Sequence, residues 1–120
     1  MHELAIARDL IDMTRRHVPE ERLAQVEVVR LRVGSLAGVV ESSLLFCFEA
    51  LVRGTALDSA RLEIDAIPIR ARCADCQTDF ELPGSLFQCP DCGGGALALL
   101  SGNELDLQEI VLADLAPEAT

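Results

Sequence analysis

Cys73-Ala-Asp-Cys76 and, after twelve intervening residues, Cys89-Pro-Asp-Cys92-Gly93 dominate this sequence. Two Cys-x-x-Cys pairs at this separation read as a four-thiolate metal site. Each pair wraps a tight turn around one ion, and Gly93 to Gly95 let the backbone turn beside it. Zinc suits four sulfurs in a tetrahedron, and iron in the same cage stays open at this point. Two disulfides need an oxidising compartment, to which nothing in the sequence points. A single redox dithiol does not explain the second pair. A closed four-cysteine site has no open position for substrate, so it accounts for a fold rather than an activity.

Outward from this stretch, residues 60–72 read as a strand, with Leu62, Ile64 and Ala66 alternating with Arg61, Glu63 and Asp65. Pro68 marks an edge or the strand's end. Residues 78–82 and 85–88 read as a short hairpin about Pro83-Gly84. Residues 104–112 alternate like 60–66 and are expected to rejoin the first sheet. Upstream, Leu4, Ala7, Leu10, Ile11, Thr14 and Val18 recur at helical spacing over residues 3–17, with Asp12 placed to pair with Arg8 or Arg16. Val18-Pro19 stops that helix, and Glu20 to Leu23 connects onward. Residues 24–33 read as a strand whose phase switches at Val28-Val29, which predicts a bulge or burial on both faces. Residues 41–53 read as a second helix with Leu44, Phe48 and Leu51 inward and Gly54 at its end. Cys47, the odd cysteine, reads as a buried, inert thiol.

The fold class expected is α+β: two helices on a small mixed or antiparallel sheet of about three strands, with an inserted four-cysteine zinc ribbon. The corresponding division places residues 1–70 and 102–113 in an α/β domain, 71–101 in the ribbon and 114–120 in a flexible tail.

The net charge is −10, from 20 acids against 10 bases, and every base is arginine. Such a surface repels phosphate backbones and suits a protein that handles cations or meets a basic partner, so no nucleic-acid partner is expected. The only aromatic residues are four phenylalanines, so the core is mainly Leu, Val, Ile and Ala. No run of eighteen apolar residues occurs, so no membrane span is expected. The early acid and the lack of a long apolar stretch near Met1 do not fit a secretory signal, so the expected location is the cytoplasm.

The chain begins Met1-His2-Glu3. A terminal amine, the next backbone nitrogens and an imidazole on residue 2 can close small chelate rings around one metal. Four such nitrogens lie in a plane, and that geometry selects nickel(II) or copper(II) over zinc. Protons compete for the same nitrogens, so affinity falls with pH. Glu3 adds charge beside the site as an outer partner. His17, at the end of the first helix, reads as a solvated or dipole-stabilising residue.

Met1-His2-Glu3, Arg30-Leu-Arg-Val-Gly34-Ser-Leu-Ala-Gly38-Val39, Phe46-Cys-Phe-Glu49, Arg53-Gly-Thr55, the two Cys-x-x-Cys pairs and Ser101-Gly-Asn-Glu-Leu105 occur together and in order. In this combination the chain resembles the HypA/HybF family of hydrogenase maturation nickel metallochaperones, over almost its whole length. The resemblance implies a nickel carrier. Its nickel(II) site maps onto His2, with Met1 and Glu3 supplying backbone nitrogen, and its zinc site onto Cys73, Cys76, Cys89 and Cys92. It implies delivery to the large subunit of nickel–iron hydrogenase, working with the GTPase HypB, and in some members a role in urease maturation. Monomer and homodimer are both compatible with it. Some relatives place an acid near position 40, where this chain has Val40, with Glu41 the nearest acid.

No catalytic constellation and no phosphate-binding Gly-rich loop is visible, so the chain reads as a non-enzyme and GTP hydrolysis falls to a partner. Two other classes share the ribbon. A zinc-ribbon adaptor in transcription or translation fits the cysteines but not the charge. A rubredoxin-like electron carrier fits an iron cage. Neither accounts for the N-terminal motif or the large α/β part.

Overall fold

A computed structural model describes residues 2–82 and 87–113. The first helix, α1, runs Glu3–His17. Its spacing places Ala7, Leu10 and Thr14 inward, all buried. Thr14 is polar, and its hydroxyl donates to the Leu10 carbonyl at 2.8 Å, which removes the cost of burying it. His2 is the N-cap and makes no side-chain cap; the Ile6 N–H donates to its carbonyl at 3.1 Å. Arg15, Arg16 and His17 occupy the last turn, where the helix dipole favours positive charge. The His17 Nδ1 lies 2.7 Å from the Met13 carbonyl oxygen. Among the described residues Asp12 forms no ion pair with Arg8 or Arg16, contrary to the sequence expectation.

A 3-10 turn, Glu20–Gln25, follows Pro19 and buries Leu23. It takes the first two residues expected in the strand. Strand β1 is Val26–Gly34. Val28 and Val29 are both buried, as the phase switch predicted. Helix α2, Glu41–Val52, buries Leu44, Phe48 and Val52. Gly54 follows at φ +76, and both the N–H and the hydroxyl of Thr55 donate to the Val52 carbonyl, closing the end.

The segment expected as one strand over 60–72 is two. Strand β2 is Arg61–Ile67 and β3 is Ile69–Cys73. Pro68 lacks an N–H and interrupts the ladder, and the two halves enter different sheets. The remaining strands are β4, Asp79–Leu82, β5, Leu97–Ser101, and β6, Leu105–Leu112. The first sheet has the order β2-β1-β6 and the second β4-β3-β5. The chain thus leaves the first sheet at Pro68, builds the second, and returns through β6, as the alternation of 104–112 led one to expect. β4 pairs with β3, antiparallel, and residues 85–86 of the expected hairpin lie outside the described residues. The sequence reading missed this pairing because the turn that joins β3 to β4 is the first Cys-x-x-Cys itself. The expected turn at Pro83-Gly84 and the tail 114–120 lie outside the described residues.

By contact density the chain forms two units. One comprises residues 2–31, 39–64 and 107–113, the other the described residues of 32–38 and 65–106. In the first, Arg30 on the central strand pairs with Glu63 of β2 at 2.7 Å and with Glu109 of β6, so one cation satisfies both neighbours. Arg30 first, and then Arg61, hold the Glu63 carboxyl below the usual carboxylate range. In the second, Ile69, Ala71 and Leu82 form a small core with Phe80 and Leu97 against it. The opposite face pairs Arg72 with Asp79 at 2.6 Å, and these residues are also register partners. Opposite charges here and inward apolar residues there fix the register together.

Among the described residues no helix is long and apolar enough to cross a membrane.

Candidate metal centres

Cys73 ends β3, and the chain turns back at once into β4. The Gln77 N–H donates to the Cys73 carbonyl at 2.9 Å and the Cys73 N–H to the Thr78 carbonyl at 3.0 Å. This closure puts Gln77 at φ +62. Its side-chain amide then donates to the Ala74 carbonyl at 3.0 Å, which helps hold a non-glycine residue in the left-handed region. The second pair repeats the pattern. The Gly93 N–H donates to the Cys89 carbonyl at 2.8 Å, with Gly93 at φ +76, and the Gln88 amide donates to the Gly93 carbonyl at 3.1 Å. Each turn therefore points two sulfurs the same way.

The four sulfurs lie within 4.8 Å of one another. Cys73 and Cys92 are 3.5 Å apart, and Cys76 and Cys89 are 3.6 Å apart. A zinc tetrahedron with bonds of about 2.3 Å needs sulfurs about 3.8 Å apart, so the cage fits such an ion with little adjustment. Cys73 and Cys89 are buried and Cys76 and Cys92 exposed, so one side of the cage faces solvent.

The thiols differ in acidity. The Thr78 hydroxyl, 3.3 Å from the Cys76 sulfur, and then the Thr78 N–H and Cys89 lower the Cys76 thiol to about 7. At Cys92 the Gly94 N–H pulls down, but Cys73, Cys89 and burial outweigh it and push the thiol up to about 12. In the metal-free chain Cys76 thus loses its proton well before Cys92. Thiolate absorbance of metal-free protein should rise with a midpoint near pH 7, absent below it and complete above it. Cys76→Ser should remove that step. A first step above about pH 8.5, the ordinary thiol value, would contradict this order. Thr78 was missed in the sequence; a hydroxyl two residues past a knuckle cysteine was the available signal.

His2 and Glu3 lie at the start of α1 and line a cleft of about 480 Å³ with Leu4, Ala5, Arg8, Ser43 and Cys47. Met1 lies outside the described residues. The Glu3 carboxylate accepts the Val40 N–H at 2.9 Å, and this bond, ahead of all other causes, lowers its pKa. Glu3 is thus engaged with the residue that caps α2. Position 40, a valine with no side-chain ligand atom, supplies a backbone donor to Glu3. Glu41 begins α2 and does not line the cleft. Cys47 is half-buried and faces the cleft, not the core. Its place one residue short of Phe48 puts it on the flank of the buried stripe, which the helical spacing does show on inspection.

The family model that matches is HypA, described as hydrogenase/urease nickel incorporation, metallochaperone, over residues 1–112. The hydrogenase maturation factor HypA of Roseiflexus sp. (strain RS-1) is 40% identical over 121 residues, covering 100% of this chain and 98% of its own. That of Streptomyces avermitilis is 42% identical over 113 residues, covering 92% and 86%. The solution structure of the Ni metallochaperone HypA from Helicobacter pylori superposes with a TM-score of 0.60 at 23% identity, covering 94% of this chain and 98% of that one. At that identity the likeness concerns the fold. With the family model spanning nearly the whole sequence and the cysteine cage assembled, this chain belongs to the HypA family of nickel-incorporation metallochaperones for hydrogenase maturation, carriers rather than enzymes.

Proposed function

We propose that the protein takes nickel(II) at Met1-His2-Glu3 and hands it on for assembly of nickel–iron hydrogenase. The observation that carries this reading is the setting of His2. It is exposed, it caps α1, and it opens on a cleft. The His2 imidazole, the terminal amine and the backbone nitrogens of His2 and Glu3 are the donors, a set that favours square-planar nickel(II). Glu3 acts through its bond to Val40, which holds the segment against the start of α2. A terminal site suits a carrier, because its few ligands can be replaced one at a time.

Cys73, Cys76, Cys89 and Cys92 hold zinc in this reading. Four thiolates and tetrahedral spacing favour it, and the ion supplies folding energy rather than reactivity. Residues 1–70 with 102–113 are then the nickel-binding domain and 71–101 the zinc ribbon. The partners are the GTPase HypB and the hydrogenase large subunit, with urease maturation proteins in some settings, and the hand-over takes place in the cytoplasm. The zinc-ribbon adaptor has the cysteines in its favour and nothing else.

The test is a nickel(II) titration of zinc-loaded, untagged protein beside the same chain extended before Met1. The native chain should bind about one nickel per chain and the extended chain should lose at least about tenfold in affinity, since its terminal amine is displaced. Equal binding by both would move the site elsewhere.

A further inference from the structure

Helix α2 packs inward through Leu44, Phe48 and Val52. Phe46 lies two residues off that stripe, on nearly the opposite side of the helix, and is 71% exposed. It contributes little to the core. In the first unit the exposed large apolar side chains among the described residues are Leu4, Val40, Leu45 and Phe46. They fall on the first turn of α1, the cap of α2 and the next turn of α2. The bond from the Val40 N–H to Glu3 holds the two helix starts together. Around α2 the side chains do not all share one face: Ser43 and Cys47, which line the cleft, lie on the opposite side of the helix from Leu45, while Phe46 follows Leu45 on the outward side. A single exposed leucine needs no explanation, but a phenylalanine this exposed beside a second exposed apolar side chain does.

The charges select the occupant. Glu41 and Glu49 stand one turn before and one turn after Leu45, both exposed, and among the described residues neither is in an ion pair. Arg53 is the only base of this helix, and it lies at the far end as the C-cap. The chain carries no lysine and a net charge of −10. A second copy would bring the same acids and the same net charge to the contact, and an anionic membrane would be repelled likewise. We propose that Leu45 and Phe46 dock a protein surface that offers an apolar socket for Phe46 rimmed by lysine or arginine. Phe46 is the anchor, and Glu41 and Glu49 steer the approach. As the dock of the protein that receives the metal this face rests on the function proposed above; as a docking face it stands on exposure and charge.

The probe is a short amphipathic helix of leucine and lysine, compared with the same peptide carrying glutamate for lysine. It is titrated into metal-loaded, full-length protein, with amide shifts mapped by NMR. The lysine peptide should shift residues 40–50, and the glutamate peptide should not bind. Phe46→Ala, whose thermal stability should match the native chain because the ring is exposed, should weaken binding roughly tenfold or more. Glu41→Gln with Glu49→Gln should weaken it about threefold to tenfold and flatten its salt dependence. Leu99→Ala, an exposed leucine of β5, should change nothing. Shifts centred elsewhere, or a Phe46→Ala variant that binds equally well, would overturn the proposal. So would self-association of the native chain that Phe46→Ala abolishes, which would make a second copy the occupant. Nickel binding is measured on the same samples. A correct map with no nickel binding upholds the dock and removes only the delivery reading.

Discussion

Cys73→Ser should unfold the second unit, and added metal should not restore it. The apolar core there is small: Ile69, Ala71 and Leu82, with Phe80 and Leu97 partly buried. A core of that size does not offset the entropy of ordering the surrounding chain. With zinc in the cage, as proposed, the ion would make up the difference, since structural zinc contributes apparent binding energies of about 10–16 kcal/mol in small modules. Cys73 is fully buried where β3 ends and the first turn begins. A serine oxygen there leaves three sulfurs and places an unpaired hydroxyl in a dry position. Native-state hydrogen exchange in metal-loaded protein reads this directly. Protection in β3, β4 and β5 should be lost in the variant, and chelation should do the same to the native chain. If the variant keeps native exchange rates in those strands, the metal is a passenger and the core suffices.

Gly34→Ala should be nearly as damaging, for a reason without metal chemistry. A Cβ on Gly34 would stand 2.0 Å from the Gly102 carbonyl oxygen and 2.2 Å from its carbon. Both are backbone atoms, so no side chain can move aside. Two short bonds cross at this place: the Gly34 N–H to the Glu104 carbonyl and the Leu36 N–H to the Gly102 carbonyl, each at 2.7 Å. The methyl would force them apart. The expected loss is roughly 3–5 kcal/mol, the range of severe overpacking with broken buried hydrogen bonds. Gly38→Ala is the comparison. Gly38 has φ +73 with open space around it, so alanine there should cost only about 1–2 kcal/mol of backbone strain. Urea midpoints of the two variants separate a clash from a dihedral preference. Equal losses would mean that the approach of Gly34 to Gly102 can relax.

This close approach explains why Arg30-Leu-Arg-Val-Gly34 and Ser101-Gly-Asn-Glu-Leu105 stand out together in the sequence, although nothing in either run states that they meet. Local patterns were readable where one face of an element is buried against the rest. The spacing of Ala7, Leu10 and Thr14 gave α1, and the phase change at Val28-Val29 gave burial on both faces of β1. Patterns failed where pairing depends on distant partners. Residues 60–72 read as one strand with Pro68 an edge or its end; the apolar phase flips there, from Leu62, Ile64 and Ala66 to Ile69 and Ala71, and the missing N–H redirects the chain into a second sheet. Leu97–Ser101 shows little alternation in burial because Leu99 and Leu100 are both exposed, with a register shift where they face β3. The cysteine cage was readable from spacing, since knuckle geometry is local. The contact of Glu3 with Val40 was not, because it joins residues 37 apart in the chain through a backbone donor.

The capping of α1 bears on how cargo would be taken up. Nickel coordination of the kind proposed removes protons from backbone nitrogens at the chain start. Within a helix that step would break the ladder. The first N–H groups of any helix have no intrahelical acceptor, and here the bond that opens the ladder among the described residues runs from Ile6 back to His2. The nitrogens of His2 and Glu3 lie ahead of it. At the proposed site, loading and unloading would then proceed without unwinding a turn, leaving ligand exchange rather than refolding of the carrier to set the hand-over barrier.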